Sequence, residues 1–251
     1  METSSIDNKL AIVANIRVAL LTKNYEEMTD ALRRLVDYAP ELSWEELEWL
    51  SVAYKHCVNS RRSSWHTVRN ALDRAELLGN VGNITIAETM LRDIEKEMRF
   101  HCKNILQMLE QKIIPNAKDD NTMVLCHKLI GDYNRCLAEF EVTPAIFTEK
   151  SFNAYREAYK IGTKKLEAVS PVYLAMVLNY SLFLYEILNE PKDALDILVN
   201  VRNRVVMHKD AKKLDEETNM IFELINQNIG QWGQREEAKR TLRTDNPITL
   251  I

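Results

Sequence analysis

Glycine and proline are scarce, with 6 Gly and 6 Pro in 251 residues, under half of the roughly 12 % that an average chain carries. These two residues supply the special backbone angles of hairpins, tight turns and Gly-rich phosphate loops. Their scarcity excludes a β-sandwich, a β-barrel, a doubly wound nucleotide binder and a disordered linker. Cysteine is sparse too: Cys57, Cys102, Cys126 and Cys136 form no CxxC pair, which excludes a disulfide framework and a zinc motif readable from spacing. Three of them adjoin a histidine (His56, His101 and His127), but adjacent residues on a helix diverge by about 100° and do not chelate by themselves. Buried free thiols are the reading, with no metal and no cofactor expected.

An excess of positive charge is also missing. Lys+Arg is 33 against Asp+Glu 37, a net charge of −4, so nothing global points to nucleic acid, whose partners are usually basic. A local basic cluster on an acidic body remains compatible with that balance. Long hydrophobic runs are absent as well. The most apolar stretch, residues 172–188, is interrupted by Asn179, Ser181 and Glu186 and falls short of the ~20 residues that span a bilayer. The N-terminal segment has charges scattered through short apolar runs rather than a signal-peptide pattern. No membrane span and a cytoplasmic location are the expectation.

What the chain does have is 46 % hydrophobic and 28 % charged residues, the balance of a protein with a core built from long helices. Apolar residues recur at helical spacing from Leu10 to Leu21 and from Tyr25 to Tyr38. Ser43-Trp44-Glu45-Glu46 reads as a capping box opening a third helix that continues to Leu78. A turn over residues 79–83 leads to a fourth helix capped at Thr85 and ending near Pro115. A fifth spans 119–140 and a sixth 145–168. Ser170-Pro171 and Pro191 start a buried seventh and an eighth helix, and a ninth carries Met220 to Trp232, weakened by Gly230 and Gly233. The domain organisation expected is one helical domain over residues 1–233 and a flexible basic and apolar tail over 234–251.

Two strings carry paired cations. Lys55 and Arg62 are seven residues apart, as are Lys128 and Arg135, which puts each pair on one helix face two turns apart. Asp132 and Glu139 flank Arg135 at helical contact distance, and carboxylates so placed can hold a guanidinium in one rotamer, preorganised for an anion. On spacing alone, two solvated charged faces are the plainer reading. Two further strings are amphipathic: Leu178, Asn179, Leu182 and Glu186, and the i+4 stripe Met220, Leu224, Asn228, Trp232. An Asn in an apolar stripe needs hydrogen bonds on both sides of its amide. A ligand backbone supplies them; so does a neighbouring helix. No nucleophile–base–orienter set and no nucleotide loop supports an enzyme.

Leu50-Ser51-Val52-Ala53-Tyr54-Lys55 with Arg61-Arg62-Ser63-Ser64-Trp65 closely resembles the signature of the 14-3-3 family. So do Gly131-Asp132-Tyr133-x-Arg135-x-Leu137-Ala138-Glu139 and Leu178-Asn179-Tyr180-Ser181 with Tyr185-Glu186-Ile187-Leu188-Asn189. The resemblance implies an all-α fold of nine antiparallel helices, a cup-shaped protomer with an amphipathic peptide groove, and a homodimer or heterodimer. It implies a non-enzymatic adaptor that clamps phosphoserine- or phosphothreonine-containing client segments, a recognition mode built on Arg clusters. By motif, Lys55, Arg62 and Arg135 would hold the phosphate with Lys128 nearby, and Asn179 and Asn228 the peptide backbone. Leu178, Leu182, Ile221 and Leu224 would form an apolar wall, with Glu186 and Trp232 at the rim.

Departures from the pattern are specific. Cys136 stands where the family has a Tyr that donates to phosphate, and a charged hydrogen bond contributes roughly 1.5–3 kcal/mol. That implies phosphopeptide affinity about ten- to a hundredfold below a typical member's. Gln231 replaces a rim Leu. Asp93 and Glu27 occupy positions where the family commonly pairs opposite charges across its dimer, and Asn24 replaces an Arg. The tail carries Arg240-Thr241-Leu242-Arg243-Thr244 with Pro247 beyond, loosely like the family's own ligands, so phosphorylated Thr244 is a candidate occupant of a groove. The alternative function is a helical scaffold binding unphosphorylated peptides or its own tail.

Overall fold

The computed structural model describes the backbone of residues 2–209 and 214–244, with side chains over 8–208 and 214–239. Among the described residues the regular structure is nine helices without a strand: α1 (Glu2–Leu21), α2 (Tyr25–Tyr38), α3 (Trp44–Leu77), α4 (Val81–Met108), α5 (Asp120–Ala138), α6 (Pro144–Lys165), α7 (Pro171–Leu182), α8 (Pro191–Lys209) and α9 (Glu216–Thr244). Two of them continue through a π-helical turn. Leu109–Ile113 prolongs α4 into a last turn, Ile114–Asn116, and Phe183–Ile187 prolongs α7. In the first, the Ile114 amide donates to the Leu109 carbonyl, and this widening precedes Pro115, whose ring would otherwise press on a carbonyl one turn back. None of the described helices is long and apolar enough to cross a membrane.

Helix ends follow local chemistry. The Ser43 hydroxyl accepts from the Glu46 amide at 3.3 Å while Glu46 Oε2 accepts from the Ser43 amide at 2.8 Å, a reciprocal cap that contributes about 1 kcal/mol. Burial alone would raise the Glu46 carboxyl, but the Ser43 hydrogen bonds and Lys9, 3.0 Å away, outweigh it and hold the group below its ordinary value. Ser170 caps α7 through the Tyr173 amide, with Pro171 in the first turn, as the sequence indicates. Asn24 caps α2, accepting from the Glu27 amide and donating to Glu27 Oε2 at 3.0 Å, so these two residues cap one helix end together.

Two boundaries differ from the sequence reading. Helix α4 begins at Val81 rather than Thr85, because Asn80 accepts from the Asn83 amide at 3.1 Å; the turn shrinks to a few residues around Gly79, which takes φ +64°. Helix α9 runs to Thr244 instead of ending near Trp232. Each glycine costs a helix about 1 kcal/mol, but residues 234–243 are rich in Arg and Glu, good helix formers, and carry a Glu236–Lys239 pair at 2.7 Å. Helix therefore extends over residues 234–244 of the expected tail; residues 245–251 lie outside the described ones.

The chain forms two compact units. In the first, Met1–Lys118 with Tyr133–Ser151, α3 contacts both α2 and α4, and Met28, Leu32, Leu35 and Val36 of α2, Leu47, Leu50 and Tyr54 of α3, and Met98 and Ile105 of α4 are all fully buried. In the second, Asp119–Asp132 with Phe152–Ile251, the core is aromatic. Tyr155, Tyr173 and Phe183 are fully buried among Val177, Leu198 and Ile225. Helix α7 is buried through Tyr173, Leu174, Met176, Val177 and Tyr180, as expected for a helix apolar nearly all round. Glycines at 131 and 162 admit two of these rings: a Cβ would stand 2.7 Å from the Tyr155 ring and 2.5 Å from the Tyr173 ring, respectively.

Candidate functional site

Helix α3 carries Lys55 and Arg62 two turns apart. Lys55 is exposed, with no ion pair among the described residues. Arg62 is half-buried and forms a fork with Glu139: Nε donates to Oε2 at 2.6 Å and Nη2 to Oε1 at 2.5 Å. His66 Nε2 lies 3.8 Å from the same carboxylate. A two-point contact of this kind fixes the plane of the guanidinium as well as its position. Glu139 is therefore engaged with Arg62, not with Arg135 as helical spacing suggested. The reason is reach: a carboxylate just past the end of α5 is free to turn to another helix, and a flat guanidinium satisfies two of its lone pairs at once.

Arg135 itself is half-buried in α5 and has neither an ion pair nor a side-chain hydrogen bond to any described residue. Taking a permanent charge partly out of water without a partner is unfavourable, and an incoming anion removes that cost. The next residue, Cys136, is 6 % exposed, and its thiol neighbours that of Cys102. Side-chain chemistry at 136 is directed inward, and no polar group replaces the phenol of the family pattern.

In the second unit, Asp132 is the centre of a network. Lys128 Nζ lies 2.7 Å from its Oδ2, while the Tyr155 hydroxyl and Asn179 Nδ2, the latter at 2.8 Å, both donate to Oδ1. Asp132 thus holds Lys128, not Arg135. The Asn179 contact also fixes the amide orientation: its nitrogen faces the carboxylate, so its carbonyl oxygen points away from it. No described residue donates to that oxygen. Asn228, half-buried in α9, likewise has no side-chain partner among the described residues.

Leu178, Leu182 and Ile221 are partly buried against the aromatic core, and Leu224 is 47 % exposed. Glu186 is exposed within the π-helical turn of α7, a local geometry frequent at functional sites. Trp232, expected at a rim, is only 4 % exposed and stacks on Tyr185 with ring centroids 4.2 Å apart. Its role is packing, which the i+4 stripe could not distinguish from lining. Gln231 beside it is exposed. Thr244 closes α9, and its side chain lies outside the described ones, as do residues 245–251.

The four cysteines are free and buried. Burial pushes the Cys57 and Cys126 thiols up to about 12, so at neutral pH they are protonated and poor nucleophiles. Cys102 is raised as well, by the neighbouring Cys136 thiol and by burial.

Comparison with known proteins agrees over nearly the whole chain. The family model "14-3-3 protein" matches residues 15–233. A 14-3-3 protein homolog of Trichoderma harzianum is 32 % identical over 224 residues, covering 88 % of this chain and 86 % of its own. The 14-3-3 protein zeta of Bombyx mori is 32 % identical over 232 residues, covering 91 % and 93 %. The checkpoint signal transducer rad24 of Schizosaccharomyces pombe is 30 % identical over 236 residues, covering 92 % and 86 %. The chain belongs to the 14-3-3 family, whose members are client-binding adaptors rather than enzymes.

Proposed function

We propose that this adaptor recognises phosphoserine- or phosphothreonine-containing segments of its clients through Lys55, Arg62 and Arg135, with Lys128 as an accessory cation. The observation that carries the reading is Arg135, a half-buried guanidinium without an internal carboxylate. A phosphate of charge about −1.5 to −2 supplies the missing partner and accepts several charge-assisted hydrogen bonds. The fork on Glu139 supports Arg62 in the same role by holding it rigid. The Asn179 amide, set by Asp132, and Asn228 suit a peptide backbone, which offers a donor and an acceptor to each amide. Leu178, Leu182, Ile221 and Leu224 suit its apolar side chains, and exposed Glu186 and Gln231 the polar ones beside them.

Because Cys136 brings no donor, affinity is about ten- to a hundredfold below that of a family member with the phenol, at 1.4 kcal/mol per decade. A titration of a fluorescent phosphopeptide against its unphosphorylated twin tests the reading. The phosphorylated form binds at least tenfold tighter. Equal binding overturns the proposal in favour of a scaffold for unmodified peptides, and a gain on truncation after Trp232 would make the tail with Thr244 the occupant.

The working unit proposed is a homodimer or heterodimer, as the family commonly forms. Leu10, Val18 and Leu21 of α1 and Leu77 and Leu78 at the end of α3 are all at least 60 % exposed, and exposed apolar side chains in such numbers suit an interface. Sedimentation equilibrium is expected to give twice the 29.2 kDa chain mass; a single-chain mass at micromolar concentration removes the dimer. Four unpaired thiols favour a reducing compartment such as the cytoplasm.

A further inference from the structure

Glu26 of α2, Cys57 of α3 and His101 of α4 meet although they are far apart in sequence. One ligand-type atom from each lies within 4.8 Å of the other two, and among the described residues no other such trio of His, Cys, Asp and Glu occurs. Cys57 is 3 % and His101 4 % exposed, whereas the Glu26 side chain is 51 % exposed. The pocket is therefore closed on the protein side and open through the carboxylate. Ligand atoms around one tetrahedral zinc stand about 3.3–3.8 Å apart, so side-chain rotations of roughly an ångström complete the geometry.

Unsatisfied polar atoms mark the same place. Only two buried side-chain nitrogen or oxygen atoms lack a hydrogen-bond partner among the described residues, and they are His101 Nδ1 and the Tyr54 hydroxyl. The two rings are in edge-to-face contact, 6.2 Å between centroids. Nδ1 is the far nitrogen of the ring whose Nε2 faces the trio, so these atoms lie beside the site, and Nδ1 is where the ring proton resides once Nε2 is coordinated. Charge agrees. Around His101 stand three acids, Glu26, Glu97 and Asp30, against Arg61, and Asp30 is itself paired with Arg33 at 2.6 Å. Ionising the Cys57 thiol brings this group to a net charge of minus two, which one divalent cation cancels.

We infer that Glu26, Cys57 and His101 form a site for a borderline-soft divalent cation of the zinc class, tying α2, α3 and α4 together. The donor set is a thiolate, an imidazole and a carboxylate, which suits zinc and excludes the oxygen-only preference of magnesium and calcium. Glu26 contributes Oε2, which already faces His101 Nε2 at 3.3 Å, and keeps Oε1 on Arg61 at 2.7 Å. Arg61 thereby holds the carboxylate in place from outside the coordination sphere. The Cys57 proton leaves to solvent on binding, the ring proton of the neutral imidazole passes from Nε2 to Nδ1 so that the Nε2 lone pair coordinates, and a water fills the fourth position. No oxidation is involved.

The reduced full-length chain titrated with Co²⁺ alone tests this. One equivalent produces a thiolate-to-cobalt charge-transfer band with intense tetrahedral d–d bands, and added Zn²⁺ bleaches both. Cys57→Ala abolishes the charge-transfer band, while Cys126→Ala, which removes a buried thiol elsewhere, leaves it unchanged. Glu26→Gln alters a half-exposed side chain, so the fold is retained, and it lowers Zn²⁺ affinity at least tenfold in competition with a chromophoric chelator. No charge-transfer band in the wild-type chain, a band that survives Cys57→Ala, or unchanged affinity in Glu26→Gln each overturns the site. Phosphopeptide binding is not part of these readouts, so the two proposals fail separately.

Discussion

Arg135→Ala lowers affinity for a phosphopeptide about 100-fold and leaves the weak binding of its unphosphorylated twin unchanged. A guanidinium on a phosphate makes two charge-assisted hydrogen bonds, each contributing roughly 1.5–3 kcal/mol. Losing about 3 kcal/mol corresponds to two decades at 1.4 kcal/mol each. The substitution isolates the ligand contact because Arg135 has no carboxylate of its own to strand. Arg62→Ala is less clean: it leaves Glu139, whose side chain is 18 % exposed, as an uncompensated negative charge facing the ligand. Arg135→Lys keeps the charge but loses the fork, so it falls between, at about a tenfold loss. Thermal melting separates binding from folding, since Arg135→Ala removes an unpaired half-buried charge and shifts Tm by no more than about 2 °C. Equal losses for both peptides, or none for either, would sink the phosphate role.

Gly131→Ala destabilises the chain by about 2–3 kcal/mol, as expected for an overpacked core site. Its new Cβ would stand 2.7–2.8 Å from three atoms of the Tyr155 ring. That ring is fully buried and packed on Tyr180 and Phe183, and its hydroxyl is bound to Asp132, so it has nowhere to go. For a protein of this size each kcal/mol moves Tm by about 2–4 °C, which predicts a fall of roughly 5–10 °C in calorimetry. Displacing Tyr155 also disturbs Asp132 and with it the orientation of Asn179, so binding of both peptides weakens. Gly230→Ala is the internal control. Nothing lies within 4 Å of its Cβ position, and Ala in a helix is favoured by up to about 1 kcal/mol, so Tm holds or rises. A drop of under 2 °C for Gly131→Ala, or equal drops for the two variants, would show that the close approach carries no energy.

Local chemistry was legible wherever the interacting groups are neighbours in sequence. The Ser43–Glu46 cap, the Ser170-Pro171 start and the buried character of α7 each depend on residues within one helical turn or on one helix's own periodicity. The start of α4 is ambiguous in the sequence because Asn80 and Thr85 are both competent caps, and the choice depends on which amide the side chain reaches. The end of α9 lies beyond Gly230 and Gly233 because the helix-forming stretch after them offsets the penalty of the two glycines.

The arrangement of the charged residues was legible in kind but not in partnership. Spacing placed cations and carboxylates on shared helix faces and only the family resemblance implied an anion site, yet Glu139 serves Arg62, 77 positions away, and Asp132 serves Lys128, Tyr155 and Asn179. Asn179 in its apolar stripe could have been satisfied by a ligand or by another helix; the Asp132 bond takes one side of its amide and leaves the other.

By itself the sequence determined the all-α class, through scarce Gly and Pro and sustained helical periodicity, and the family, through four ordered motifs. These properties are short-range, set by propensity, capping and spacing along the chain. Tertiary structure alone decided which carboxylate holds which cation, why Gly131 must lack a side chain, that Trp232 packs instead of lining, and that Glu26, Cys57 and His101 meet. Such contacts join residues tens of positions apart, and their energies exist only once packing has removed water from between them.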